Sequence, residues 1–270
     1  MLDQDLRILL IRGLAASGSS AITKYAVAKS GAAFINEYCI DTPHLDPHAF
    51  CPTIALEQVL VRSGREVGAE TANRLEKKAK LELLLVAEEL QETKKPLIIR
   101  EWHHHYFTYD ARENYLKVER VLRDVLPNAT INSVAIIRDP LENFLSAVRS
   151  KFWDVHNRNF HIWINHFGHW IDKLEPSTTF LGYEKVCDDQ SEIDSFLASA
   201  LASEAPPEIT NADIYCSGNS GRSDPAERGL NKRPKREEDA SYIKQMMRFD
   251  SVARIYEKLR SIHDSLGLLH

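Results

Sequence analysis

Residues 6–20 read Leu-Arg-Ile-Leu-Leu-Ile-Arg-Gly-Leu-Ala-Ala-Ser-Gly-Ser-Ser. The apolar run 6–11 is too short for an ordinary helix and stands just before a Gly- and Ser-rich turn. That combination predicts a strand buried on both faces. Residues 13–20 form the turn. A helix is expected next, with Ile22, Tyr25, Ala26 and Val27 near its inner face, ending around Gly31. Working outward, 97–99, 133–137 and 179–182 are further short apolar runs. Helices are expected over 70–92, over 113–126, from Pro140 onward and over 241–265. In the third of these, Leu141, Phe144, Leu145 and Val148 recur at helical spacing. Asp139 is its expected N-cap and Pro140 fits its first turn. Residues 36–65 and 203–240 carry no clean period and read mostly as loop. Strands alternating with helices predict one domain over 1–270, a three-layer αβα arrangement around a central parallel sheet.

Composition narrows the field. Of 270 residues, 43% are apolar and 27% charged, which excludes collagen-like, coiled-coil and wholly disordered chains. With 34 basic and 39 acidic residues the net charge is −5, so the chain is no general polyanion binder and nucleic acid is not an expected partner. No apolar run reaches the ~18 residues of a membrane span. The first residues lack the basic segment and apolar core of a signal peptide. Cys39, Cys51, Cys187 and Cys216 form no C-x-x-C pair and fit reduced thiols. A cytoplasmic protein without a membrane partner is expected.

In an open parallel sheet, ligands collect at the carboxyl ends of the strands. Gly13 and Gly18 there have the spacing of the phosphate-binding loop G-x-x-x-x-G-K-[ST], with Ser19 in place of the lysine. Backbone N–H groups at a helix start can still cradle a phosphate. The cation that clamps a transferring γ-phosphoryl group is missing, which argues against a nucleoside triphosphatase. The same segment also fits a ligand-free turn. Further along, Arg138 closes a strand and Ser146 lies about two turns into the next helix. Both can converge on one phosphate, the arginine through a charge-assisted fork. Taken alone, Arg138 also fits an ion pair with Asp139.

Strand 97–99 opens onto Arg100-Glu101-Trp102-His103-His104-His105, a run rich in groups able to accept a proton. Imidazole titrates in the useful range and a carboxylate can also serve. A metal site is the rival reading, with His161, His166 and His169 as further ligands. Adjacent side chains of a strand point to opposite faces, however, and no H-E-x-x-H or paired cysteine is present. No metal is expected.

The loop resembles the 5′-phosphosulfate loop of the sulfotransferase family, close to G-x-P-[RK]-S-G-[ST]-[ST]. Ser17, Gly18, Ser19 and Ser20 match its core and Gly13 its leading glycine, while Ala15 and Ala16 replace the Pro and the basic residue. Arg138-Asp139-Pro140 with Ser146 looks like the family's 3′-phosphate motif. Residues 178–184 look like its strand with an adenine-contacting tyrosine, Tyr183, before an acidic residue. Residues 216–222, ending in Arg222, sit where the family has a Gly- and Arg-bearing loop over the nucleotide. Alone, Tyr183 also fits a core position, and Arg228, Lys232, Arg233, Lys235 and Arg236 also fit a solvated basic run.

The resemblance implies a fold like that of P-loop NTPases. It implies transfer of a sulfuryl group from 3′-phosphoadenosine-5′-phosphosulfate, without metal, to a hydroxyl or amine on a small-molecule or carbohydrate acceptor. The base is then His104, followed by His103 and Glu101. The cation absent at Ala16 must come from elsewhere. Arg100 matches a basic strand-end residue of the family; Arg12 is the second candidate, unless it pairs with an acid near the N-terminus. The competing functions are a small-molecule kinase of the same fold and a non-catalytic nucleotide-binding module.

Overall fold

Residues 7–13 are flanked by parallel neighbours on both sides, and the sheet grows outward from them. The computed structural model describes residues 6–14, 16–35, 69–102, 118–149, 163–165, 167, 168, 170–172, 174, 177–202, 245 and 248–265. Strand β1 (Arg7–Gly13) is followed by α1 (Ser19–Ser30), β2 (Ala33–Ile35), α2 (Ala69–Thr93), β3 (Leu97–Trp102), α3 (Val118–Val125) and β4 (Thr130–Ile137). Then come α4 (Pro140–Arg149), β5 (Thr179–Gly182), α5 (Tyr183–Asp188), α6 (Ser191–Leu201) and α7 (Asp250–Ser265). The five strands form one sheet in the order β2-β3-β1-β4-β5. Every pairing is parallel, with Ile11 level with both Arg100 and Val134. The expected three-layer αβα fold of the P-loop NTPase-like kind is thus observed. The chain order runs from β1 to both sides, so the switch point falls at the carboxyl end of β1, beside the 13–20 turn.

Alternation along the strands divides the core between the two faces. Leu9, Ile11, Ile98, Val134, Ile136 and Leu181 pack against Ile22, Tyr25 and Ala26 of α1 and Ile193, Leu197 and Leu201 of α6. On the other face, Ile8, Leu10, Leu97 and Ile99 meet Leu83, Ala87 and Leu90 of α2 and Val121 and Leu122 of α3. Ala135 and Ile137 meet Phe144 of α4, the helical residues Trp163 and Phe167, and Tyr256 and Leu259 of α7. Each fully buried Leu or Ile contributes about 1.5–3 kcal/mol relative to exposure.

Several local expectations hold. Asp139 Oδ1 accepts from the N–H groups of Leu141 and Glu142, each at 3.0 Å, so it caps α4. Gly31 ends α1 at φ 62° in the left-handed region. Three elements were not expected. The short edge strand β2 has only three residues, too few for a period. Helices α5 and α6 follow β5 directly, although Ile193, Leu197, Ala200 and Leu201 recur at helical spacing. Helix α3 is described from Val118, and residues 113–117 of the expected helix lie outside the described residues. No helix among the described residues is long and apolar enough to cross a membrane.

Arg12 alternates with Ile8 and Leu10 and so faces α3. There its Nη2 donates to Glu119 Oε2 at 3.0 Å, both side chains being only 6% exposed. Among the described residues, its partner is therefore an acid 107 residues away in sequence. Ser133 Oγ donates to the same oxygen at 3.0 Å, and Arg123 Nη2 donates to Glu119 Oε1 at 2.6 Å. Burial opposes the charge on Glu119. The Arg123 hydrogen bond, the Arg12 charge and the Ser133 hydroxyl outweigh it and hold the carboxyl below its ordinary pKa.

Removing one partner of a buried pair leaves the other charge uncompensated, which costs about 3–5 kcal/mol. Glu119→Ala is expected to lose that much in denaturant unfolding. A loss below about 1 kcal/mol, the level of a surface pair, would contradict a buried role.

Candidate functional site

The 13–20 turn owes its shape to small residues packed on one another. Ser17 N–H donates to Leu14 O at 3.1 Å, and Ile22 N–H to Gly18 O at 3.1 Å, the first i→i−4 bond of α1. Ser17 Oγ accepts from Ser19 N–H at 3.4 Å. A Cβ on Gly13 would lie 2.7 Å from Ser19 Cβ, so only glycine lets Ser17 and Ser19 fold back over the strand end. Those two serines are 2% and 4% exposed; Ser20 is half-buried. The side chains of Ser17 and Ser19 thus build the loop from within. The N–H groups of Ser20 and Ala21 lie in the first turn of α1, where no intrahelical acceptor exists.

Two of the described positions of the loop have left-handed backbone. Gly18, the N-cap of α1, has φ 89°. Ala16 has φ 62°, which costs a residue with a Cβ roughly 1–2 kcal/mol. The Ala16 carbonyl accepts a 3.1 Å hydrogen bond from Arg138 Nη1, a charged donor that offsets that cost.

Arg138 is only 7% exposed. Its Nε lies 3.4 Å from Glu184 Oε1, close enough for an ion pair but not aligned as a hydrogen bond. Its guanidinium sits 5.1 Å from the centre of the Tyr183 ring, a cation–π contact. The Tyr183 ring in turn lies against the α carbon of Gly18 and is 6% exposed. Among the described residues, nothing hydrogen-bonds Nη2. Arg138 pairs with Glu184 of α5 rather than with Asp139, which is occupied as the α4 cap.

Helix α7 reaches the same place. Tyr256 O–H donates to Asp139 Oδ2 at 3.3 Å. His263 Nε2 lies 3.0 Å from Glu184 Oε2, and its Nδ1 lies 3.2 Å from Asp264 Oδ1. The Glu184 hydrogen bond raises the imidazole pKa against the effect of burial, with help from Asp264. Burial opposes the charge on Glu184, but the His263 hydrogen bond and the Arg138 charge hold its pKa below the ordinary carboxylate value. Burial, then the neighbouring Asp139 charge, pushes the Tyr256 hydroxyl up to about 12.

Of the sequence-derived candidates, Ser17, Gly18, Ser19, Ser20, Arg138 and Tyr183 come together in this one place. Ser146 is buried in α4, the helix that Asp139 caps. Arg100 alternates with Ile98 and therefore lies on the α1 face of β3, while Arg12 is committed to Glu119 on the opposite face. Glu101 belongs to β3 through its backbone. His103, His104 and Arg222 lie outside the described residues. Sequence reading passed over Glu184 except as an acid after Tyr183, and missed His263 and Tyr256 altogether. His263 stands 79 residues from its partner, with no motif to link them.

No protein-family model and no curated protein matches the chain. Among solved structures, the chain is similar to the sulfotransferase domain of an olefin synthase from Synechococcus PCC 7002, with 11% identity, TM-score 0.47, and coverage of 95% of this chain and 96% of that one. It is also similar to an unliganded sugar kinase from Janibacter sp., with 14% identity, TM-score 0.41, and 72% and 94% coverage. A sulfotransferase from Mycobacterium tuberculosis is similar at 10% identity, TM-score 0.36, with 74% and 68% coverage.

A side chain at Gly18 would collide with the Tyr183 ring and would have to adopt left-handed backbone. Gly18→Ala is expected to cost about 1–3 kcal/mol in thermal unfolding, the range for overpacking a filled site. An unchanged midpoint would mean that Tyr183 does not rest on the loop.

Proposed function

We propose that the chain moves a sulfuryl group from 3′-phosphoadenosine-5′-phosphosulfate to a hydroxyl or amine of a small-molecule or carbohydrate acceptor. Residues 1–270 act as one unit and no metal takes part. The observation that carries this reading is the guanidinium of Arg138, buried at the end of β4 and bonded to the Ala16 carbonyl of the glycine loop. A fixed cation and the start of a helix thereby stand side by side at the sheet's switch point, a combination suited to a nucleotide with two separate phosphate groups. The buried Ser19 stands where a triphosphatase has its lysine, which disfavours the kinase reading.

In this proposal the N–H groups at the start of α1, with Ser17, Gly18, Ser19 and Ser20, hold the 5′ end. Arg138 through its outer nitrogen, with Ser146, holds the 3′-phosphate. Tyr183 supports both Gly18 and Arg138 and offers adenine only the rim of its ring. Arg222 closes over the nucleotide. As the acceptor oxygen bonds to sulfur, the bond from sulfur to the 5′-phosphate oxygen breaks and adenosine 3′,5′-bisphosphate leaves. The acceptor proton goes to His104, or failing it to His103 or Glu101. Arg100 supplies the positive charge that Ala16 lacks, since stabilising charge that develops in the transition state is usually the largest catalytic contribution.

The wild type is expected to bind adenosine 3′,5′-bisphosphate more tightly than AMP in calorimetry. Arg138→Ala is expected to erase most of that preference, about 1.5–3 kcal/mol for a charged hydrogen bond. Loss of the loop brace alone would weaken both nucleotides equally, so the preference isolates the 3′-phosphate. Equal wild-type affinities would sink the assignment.

Arg100→Ala is expected to abolish turnover of labelled donor while the bisphosphate still binds. Full turnover in that variant would remove Arg100 from the mechanism. Tight bisphosphate binding by a wild type with no turnover on any acceptor would favour the non-catalytic module.

A further inference from the structure

A carboxylate touching a phosphate-binding arginine works against the phosphate, because it competes for the same guanidinium. Glu184 stands in that position, with Oε1 3.4 Å from Arg138 Nε. Its other oxygen is drawn the opposite way: Oε2 lies 3.0 Å from His263 Nε2, and the Asp139 N–H donates to it at 3.4 Å. Helix α7 thus holds the far side of the acid that faces Arg138.

The surroundings of His263 favour the charged ring. Both of its nitrogens face carboxylate oxygens, Nε2 toward Glu184 and Nδ1 toward Asp264. A neutral imidazole can donate from only one nitrogen, which would leave the other's lone pair against a carboxylate. The groups acting on it are Glu184 from α5, Asp139 from the β4–α4 turn and Asp264 from α7 itself. Among the described residues, Arg138 and Arg260 are the cations of the same neighbourhood, through Glu184 and through Asp264 and Asp139 respectively. Counting Arg138, Arg260, Glu184, Asp139 and Asp264, the cluster sums to −1 with a neutral imidazole and to zero with an imidazolium.

We propose that His263 is a positioning residue for the nucleotide site: when charged it engages Glu184 and leaves Arg138 to the 3′-phosphate, so that binding of the bisphosphate is linked to uptake of a proton by His263. The proposal rests on the assignment of Arg138 to a phosphate. The imidazole pKa lies above its ordinary value, so the tight-binding form dominates below pH 6.5 and fades as pH rises through the raised value. Linkage is reciprocal, so bound bisphosphate must raise the imidazole pKa further.

The test is calorimetry of adenosine 3′,5′-bisphosphate on the full chain between pH 5.5 and 9, for wild type, His263→Gln and His263→Lys. The phosphates' own titration near pH 6 is common to all three and cancels in the comparison. Wild type is expected to bind about 5–20-fold tighter than His263→Gln at pH 5.5 and to converge on it at pH 9. His263→Lys, charged throughout, is expected to keep the tighter affinity at both ends. An NMR titration of wild-type His263 with and without the bisphosphate supplies a reading that needs no variant, and a pKa unmoved by the nucleotide would overturn the proposal. So would a pH profile of His263→Gln that tracks the wild type, or a His263→Lys that behaves like His263→Gln. Absence of bisphosphate binding by the wild type at every pH would overturn the phosphate assignment itself, and this proposal with it.

Discussion

The hydrogen bond from Arg138 to the Ala16 carbonyl joins two strand ends that are 122 residues apart in sequence. It draws a left-handed alanine into the glycine loop and anchors the end of β4 to the start of α1. Around it, Tyr183 lies between Gly18 and the guanidinium, Glu184 balances the charge, and His263 holds Glu184 from α7. These contacts need the parallel order of the sheet. With β1 between β3 and β4, the first and fourth strands end side by side, and the groups that follow each can meet.

Two buried charge clusters serve different ends in this fold. Glu119 receives hydrogen bonds from Arg12, Arg123 and Ser133, so both of its oxygens are satisfied within the protein. That arrangement ties β1, β4 and α3 together and holds Arg12 on the α3 face of the sheet. Arg138 is less completely engaged. Among the described residues it makes one hydrogen bond, one misaligned ion pair and one ring contact, and its Nη2 is unbonded there. A cation held in place but incompletely paired is what a binding site requires, because an anion can be added without first breaking the support.

Much of this was legible in the chain, because the physics was local. The glycine loop, the Asp139 cap and the Gly31 stop are read from neighbouring residues, and four of the five strands stand out as apolar runs. The ends of β1 and β3 were read short, since Arg12 and the Arg100-Glu101 pair interrupt the apolar pattern while the ladder continues. Strand β2 escaped because three residues carry no period. The pairings of Arg12 with Glu119 and of Glu184 with His263 could not be read, since each joins residues 79 or more apart and depends on which helix covers which face. Placing Arg138 at the carboxyl end of a strand followed from strand-end logic; that it would grip the Ala16 carbonyl of the loop did not.

The central claim is that the loop and Arg138 together select a nucleotide bearing a 3′-phosphate over a triphosphate. Thermal unfolding of the wild type with adenosine 3′,5′-bisphosphate, and separately with ATP and magnesium, tests it most directly. A ligand present at 100 times its Kd stabilises the folded state by about 2.7 kcal/mol, enough to raise the midpoint visibly. A rise with the bisphosphate and none with ATP and magnesium at the same concentration is expected. A rise with ATP and magnesium but none with the bisphosphate would contradict it.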